Sequence, residues 1–254
     1  MDFSLSAGML EHGALVFVRL LSVLSTAPVF GHRSVAMPIK VGLAFGLTIV
    51  LLMPMQQSFI PFADGLTFLL ALAGEVLIGL LIGFVSMLVF YALEMAGGII
   101  GMEMGLYFAF SISPTLPSQG GMMQQFYVLL SILIFLSMNG HHAFLLALSR
   151  TLEAVPPGSF MQSDVVPETL IRLSSAIFPS ALQIALPVLA ALVLTDLALA
   201  LMNRVMPRIY VFVLGMPLKM GVGLATLLVT LPLTVPLVRQ TLEQVARNML
   251  LIAR

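Results

Sequence analysis

Residues 95–125, MAGGIIGMEMGLYFAFSISPTLPSQGGMMQQ, divide two strongly apolar parts of the chain and resemble neither. Gly97, Gly101 and Gly105 recur every four residues, so on a helix they form one smooth stripe against which another backbone can pack. The pattern then stops. Pro114 and Pro117 lack an N–H, and Gly120 and Gly121 add backbone freedom, so a helix is not expected to continue through Ser111, Ser113 and Ser118. Phe108, Phe110, Ile112, Leu116, Met122 and Met123 nevertheless keep the loop apolar. Irregular backbone between membrane-type segments cannot face lipid, because each unpaired polar group there is destabilising by several kcal/mol, on the order of one lost hydrogen bond in hydrocarbon. The loop is expected inside protein or along a cavity, where it closes a passage. The plainer alternative is an extramembrane connector resting on protein.

The flanking segments set the class. Of 254 residues, 60% are hydrophobic and 9% charged, with mean hydropathy +1.11. A soluble domain carries about 25% charged residues, so an all-α integral membrane protein, or a subunit of a membrane-embedded assembly, is expected. A net charge of zero argues against nucleic acid as a partner. The absence of cysteine excludes disulfide and thiolate chemistry. Trp is absent and Tyr numbers only 4, so the aromatic belt of an ordinary bilayer protein is thin. The 18 methionines suit surfaces that repack, though plain core filling explains most of them equally.

In chain order, apolar runs cover 14–30, 41–62, 66–93, 126–149, 169–202 and 209–238. Hydropathy alone would make these six spans, but the tail's Arg239, Arg247 and Arg254 then lie on the wrong side for the positive-inside rule. No cleaved leader is expected, since the N-terminus carries Asp2, Glu11 and His12 rather than positive charge. Arg19 lies within the first run, where a cation needs a partner or a cavity. His32, Arg33, Pro38 and Lys40 read as a basic loop. Glu75, Glu94 and Glu103 are acids in an apolar background. They can bind a proton or cation as in a transporter, pair with Arg19 or another subunit's base, or cap a helix. Asn139-Gly140 interrupts the fourth run, and Pro179 and Pro187 should bend the fifth, which holds Asp196. The last run should be broken by Gly215, Pro217, Pro232 and Pro236. The tail reads as an amphipathic packing helix, with Val238, Leu242, Val245, Met249 and Ile252 on one side. His141-His142 lacks the spacing and company of a metal site, and no nucleophile elbow, P-loop or dinucleotide fingerprint appears. No catalytic residue, metal or cofactor is expected. The polar stretch 150–168, with Pro156-Pro157-Gly158, reads as a linker.

Taken in order, several motifs resemble the FliR family, export-gate subunits of the flagellar type III secretion system. They are Arg19 with Ser25-Thr26-Ala27-Pro28, Pro38 and Lys40; Gly101-Met102-Glu103-Met104-Gly105 with Phe108-Ala109 and Pro114; and Phe135-Leu136 with Asn139-Gly140-His141. Val155-Pro156 with Gly158 follows, then Asp196-Leu197-Ala198-Leu199 with Asn203-Arg204, Pro207, Phe212-Val213, Gly215 and Pro217-Leu218. The last group looks flagellar rather than injectisome-like. Family members often carry Asp before the loop proline; here Ser113 stands there.

The resemblance implies long, kinked helical hairpins, built like a FliP-like unit (1–155, with the plug loop at about 106–125) fused to a FliQ-like unit (165–254). It implies a non-enzymatic gate subunit in the bacterial inner membrane at the flagellar basal body, helping to nucleate a helical assembly with FliP and FliQ, near FlhB and FlhA. Unfolded flagellar proteins would be the cargo. Phe110, Ser111, Ile112, Ser113, Pro114, Leu116, Pro117, Met122 and Met123 would supply the plug, beside a methionine-rich gasket from FliP. Gly97, Gly101, Gly105, Arg19, Glu103, Asn203 and Arg204 would serve helix packing and assembly. The rival readings are a small-solute or ion transporter using the buried acids, and a purely structural assembly nucleus.

Overall fold

The first apolar run forms helix α1 (Ala7–Thr26), whose Leu15, Val16, Leu20, Val23 and Leu24 recur at helical spacing and are fully buried. A computed structural model describes residues 7–32, 35–52, 64–106, 121–159, 165–205 and 211–252. Among them seven further helices follow: α2 (Met37–Leu52), α3 (Gly65–Glu103), α4 (Met122–Ser137), α5 (Gly140–Ala154), α6 (Val165–Ser175), α7 (Ile177–Val205) and α8 (Val211–Ile252). No strand occurs among the described residues, and the fold is all-α and membrane-type. Phe110, Ser111, Ile112, Ser113, Pro114, Leu116 and Pro117 lie outside the described residues.

The boundaries follow local chemistry. Gly105 ends α3, with φ +74 and its N–H donated to the Met102 carbonyl at 3.0 Å. This left-handed geometry suits glycine and closes the helix turn. Gly97 and Gly101 are therefore within α3, while Gly105 lies just past its end. Helix α4 starts at Met122, four residues before the expected apolar run, because the Gln124 side chain reaches back to accept the Gly121 N–H at 3.2 Å. Between α4 and α5, Asn139 adopts φ 56 and ψ 31, the break anticipated at Asn139-Gly140. Lys40 belongs to α2 rather than to a basic loop; it is buried and donates to the Gly31 carbonyl at 3.1 Å.

Prolines act unequally. Pro179 has no N–H for the Ser175 carbonyl, and α6 ends at Ser175. Pro187, by contrast, lies within α7, and α8 continues for 42 residues through Pro217, Pro232 and Pro236. The expected breaks in the last run are thus absent. Proline is tolerated in membrane-type helices when neighbouring groups satisfy the freed carbonyls. Four members of the tail stripe are buried as expected, Val238, Leu242, Val245 and Met249 being each at most 2% exposed, while the Ile252 side chain lies outside the described residues.

Four helical segments are long and apolar enough to cross a membrane: 8–26, 65–103, 166–205 and 215–249. The broken pair α4 and α5 raises this to five if it counts as one span. Six simple spans do not form among the described residues, since the described part of the second run, α2, has only 16 residues. Helices α3 and α8 hold 39 and 42 residues. At 1.5 Å per residue each is roughly 60 Å long, about twice the thickness of a hydrocarbon core.

The described residues form two compact units. The described residues of the first lie within 1–88, 139–174 and 244–254, those of the second within 89–138 and 175–243. In the first, α1 packs on α2 and on the first part of α3, and Phe30 stacks on Phe144 with centroids 6.0 Å apart. In the second, Leu93, Ala96 and Ile100 of α3 and Met104 just past its end form a buried stripe, and Phe90 meets Phe135 edge-on at 5.6 Å.

Candidate functional site: charge pairs and glycine contacts

In the first unit, Glu75, Gly79 and Gly83 lie at four-residue spacing on one face of α3. A Cβ at Gly79 would sit 2.7 Å from the Arg19 carbonyl oxygen and 2.7 Å from the Ser22 Cβ. A Cβ at Gly83 would fall on the Thr26 hydroxyl, 2.9 Å from the Thr26 Cβ. The two glycines thus let α1 approach at backbone distance. That approach brings Arg19 to Glu75.

Arg19 and Glu75 are at most 1% exposed and form a bidentate pair. Arg19 Nε donates to Glu75 Oε2, and Nη2 donates to Oε1 at 2.9 Å. Arg19 Nη1 donates to the Val155 carbonyl at 2.7 Å, and the Gly158 N–H donates to Glu75 Oε1 at 2.8 Å. Gly158 has φ +83, a geometry that favours glycine. The pair therefore fastens α1, α3 and the turn after α5 at one point. Such a group of bonds satisfies two charges that are otherwise prohibitive in an apolar interior.

The second unit holds the residues on either side of 107–120. Gly97 faces the start of α4: a Cβ there would lie 2.5 Å from the Met123 carbonyl oxygen and 2.8 Å from the Gln124 Cα. Gly101 is also buried. Gln124 Nε2 donates to Glu94 Oε1 at 2.6 Å, joining α4 to α3. Met123 is buried and Met122 is exposed, both in the first turn of α4. Tyr91, Glu94, Gly98, Met102 and Gln124 line a shallow open groove beside this junction.

Lys219 of α8 is the second charge centre. Its ammonium lies 2.8 Å from Asp196 Oδ2 on α7 and 3.7 Å from Glu103 Oε2 at the end of α3. Met104 covers Gly223, where a Cβ would meet its Cε at 2.7 Å, and Gly105 approaches Met216. Asn203 and Arg204 are exposed in the last turn of α7.

The structure therefore brings Arg19 to Glu75, and Glu103 to Lys219. It does not gather Glu75, Glu94 and Glu103: each has a different partner. Sequence alone assigns no site role to Lys219, Gly158 or Gln124. Lys219 did carry a signal, since a cation within an apolar helix implies a nearby acid. The backbone bond of Gly158 carries none in sequence. His141 and His142 rings lie 4.9 Å apart, but no group of three metal-ligating side chains occurs among the described residues.

Comparison with known proteins agrees with these motifs. The family model described as bacterial export proteins, family 1, matches residues 10–245. The flagellar biosynthetic protein FliR of Escherichia coli K12 is 33% identical over 208 residues, covering 82% of this chain and 79% of that protein. FliR of Bacillus subtilis 168 is 30% identical over 244 residues, covering 94% of each chain. FliR of Aquifex aeolicus VF5 is 32% identical over 214 residues, covering 84% of this chain and 83% of that one. The family match over 10–245 takes in Arg19, Glu75, Glu103, Asp196 and Lys219 rather than a single motif. The chain belongs to the FliR family of bacterial export proteins.

Proposed function

We propose that the chain is a non-catalytic gate subunit of the flagellar protein export apparatus, in the bacterial inner membrane at the basal body. In this reading it assembles with FliP and FliQ, near FlhB and FlhA, and helps nucleate their helical arrangement. Residues 1–155 act as a FliP-like half and 165–254 as a FliQ-like half, joined through 150–168. The segment of about 106–125 closes the channel until an unfolded flagellar protein passes. Phe110, Ile112 and Leu116 exclude water by dewetting, while Pro114, Pro117 and the neighbouring glycines keep the backbone from settling into a helix. Met122 and Met123, at the root of α4, repack as the closure yields.

The observation that carries this reading is uncovered apolar surface on helices whose buried charges already have partners. Ile39, Phe45 and Val50 of α2, Leu194 and Leu197 of α7, and Leu228, Val229 and Leu233 of α8 are all exposed. Lipid can cover such side chains on a spanning helix, and so can the apolar faces of other subunits. Other protein chains cover them more completely. The transporter reading fares worse, because Glu75 is sealed by Arg19 and Gly158, and Glu94 and Glu103 have partners of their own.

The test is imaging of this chain co-expressed and purified with its export partners. The segment 107–120 is expected across the central axis of the complex. Finding it on the outer wall, away from a channel, would contradict the proposal.

A further inference from the structure

The Lys219 centre is unbalanced. One ammonium faces two carboxylates, leaving one formal negative charge. The lysine side chain is 19% exposed, whereas those of Asp196 and Glu103 are 46% and 44% exposed. The acids therefore open outward while the cation sits behind them. The surface around them is apolar: Val193, Leu197 and Leu201 on α7, Leu218 on α8 and Met102 on α3 are all exposed. Asp196 is nine residues from the end of α7, roughly 13 Å into an apolar segment. A half-open carboxylate at that depth is unfavourable against hydrocarbon and is normally matched by a cation.

We propose that this face of α7 and α8 seats an apolar helix of a different polypeptide that brings one lysine or arginine to Asp196 and Glu103. The inference deepens the assembly reading by naming where a partner docks and by what chemistry. Charge complementarity selects the occupant: an apolar surface with one unmatched negative charge fits an apolar helix with one embedded cation. A second copy of this chain fits poorly. Arg19, Lys40 and Lys219 are already bonded inside the chain, Arg172 stands in the last turn of α6, and Arg239 and Arg247 lie in the amphipathic tail of α8, with Arg239 paired to Glu243. Arg204 is exposed, but it stands in the last turn of α7, at the very end of its apolar segment.

A photo-crosslinking residue in place of Leu197, in the full chain co-expressed with the other flagellar export subunits, tests this. It reports on the unaltered charge centre and so does not depend on a variant's folding. The crosslink is expected to join a different polypeptide, through an apolar peptide that contains Lys or Arg. Asp196→Asn should lower its yield about tenfold, as loss of a desolvated charge pair does; Glu103→Gln should lower it at least as much, because Lys219 lies closer to Asp196 and leaves Glu103 the less matched acid. Membrane levels of each variant chain control for folding. Crosslinks to a second copy, to lipid, or to a peptide without a basic residue would overturn the proposal, as would a yield unchanged in both variants. If other subunits still co-purify in those cases, the assembly reading stands and only this docking face falls. If no other polypeptide co-purifies, both fall.

Discussion

At the scale of single residues, two buried charges do more to specify the first unit than their net energy suggests. A buried ion pair contributes little overall, but removing one member leaves the other uncompensated. Glu75→Gln should therefore destabilise the chain by about 3–5 kcal/mol, read as a lower unfolding midpoint of the purified complex in detergent. The double change Arg19→Met with Glu75→Met should recover most of that loss. If the single and double variants are equally damaged, the turn at Val155–Gly158 rather than charge satisfaction holds the site together. Asn139 offers a second residue-scale prediction. Its left-handed backbone suits glycine, so Asn139→Gly should be nearly neutral, while Asn139→Val should be destabilising by about 1–2 kcal/mol in the same measurement. Equal midpoints for the two variants would argue against this geometry. Sequence made part of this readable. An arginine and a glutamate alone in apolar runs have few satisfactory outcomes besides each other. It did not single out that pairing, and the peptide N–H of Gly158 leaves no trace in residue type. Lys219 was equally hidden as a hub, because its partners come from two separate helices.

The same contrast holds for elements. Apolar periodicity located most helices, and the tail stripe Val238, Leu242, Val245 and Met249 is buried as its spacing indicated. Helix ends were less legible. Proline stops a helix in isolation, yet α8 passes through three of them, because surrounding structure decides whether a freed carbonyl is tolerated. Gly79 and Gly83 show how spacing becomes packing. They differ from Gly42 and Gly46, where an added Cβ would meet nothing within 4 Å. All four share the same four-residue spacing, so only the neighbouring helix distinguishes them. Gly83→Leu should force α1 away from α3, at about 1–3 kcal/mol or more, whereas Gly46→Leu should leave the unfolding midpoint of the isolated chain in detergent unchanged. Equal effects of the two substitutions would show that α1 does not approach α3 as closely as described.

For the whole molecule, family membership was legible because the motifs run in order through nearly all of the chain. Closure of a channel is a different kind of claim. It rests on the composition of 106–125 and on helices that leave much apolar surface for other chains. Those helices have physical reasons to exist in an assembly: Arg19 is paired with Glu75 and Lys219 with Asp196 inside the chain, while many large hydrophobic side chains remain exposed. The most direct measurement of the central claim is ion leakage across the membrane of cells whose export complex carries a deletion of residues 113–121. The complex should still assemble and be recovered at its usual level, while leakage rises above that of the intact complex. Normal recovery with leakage at the intact level would contradict the account, because the segment would then be sealing nothing.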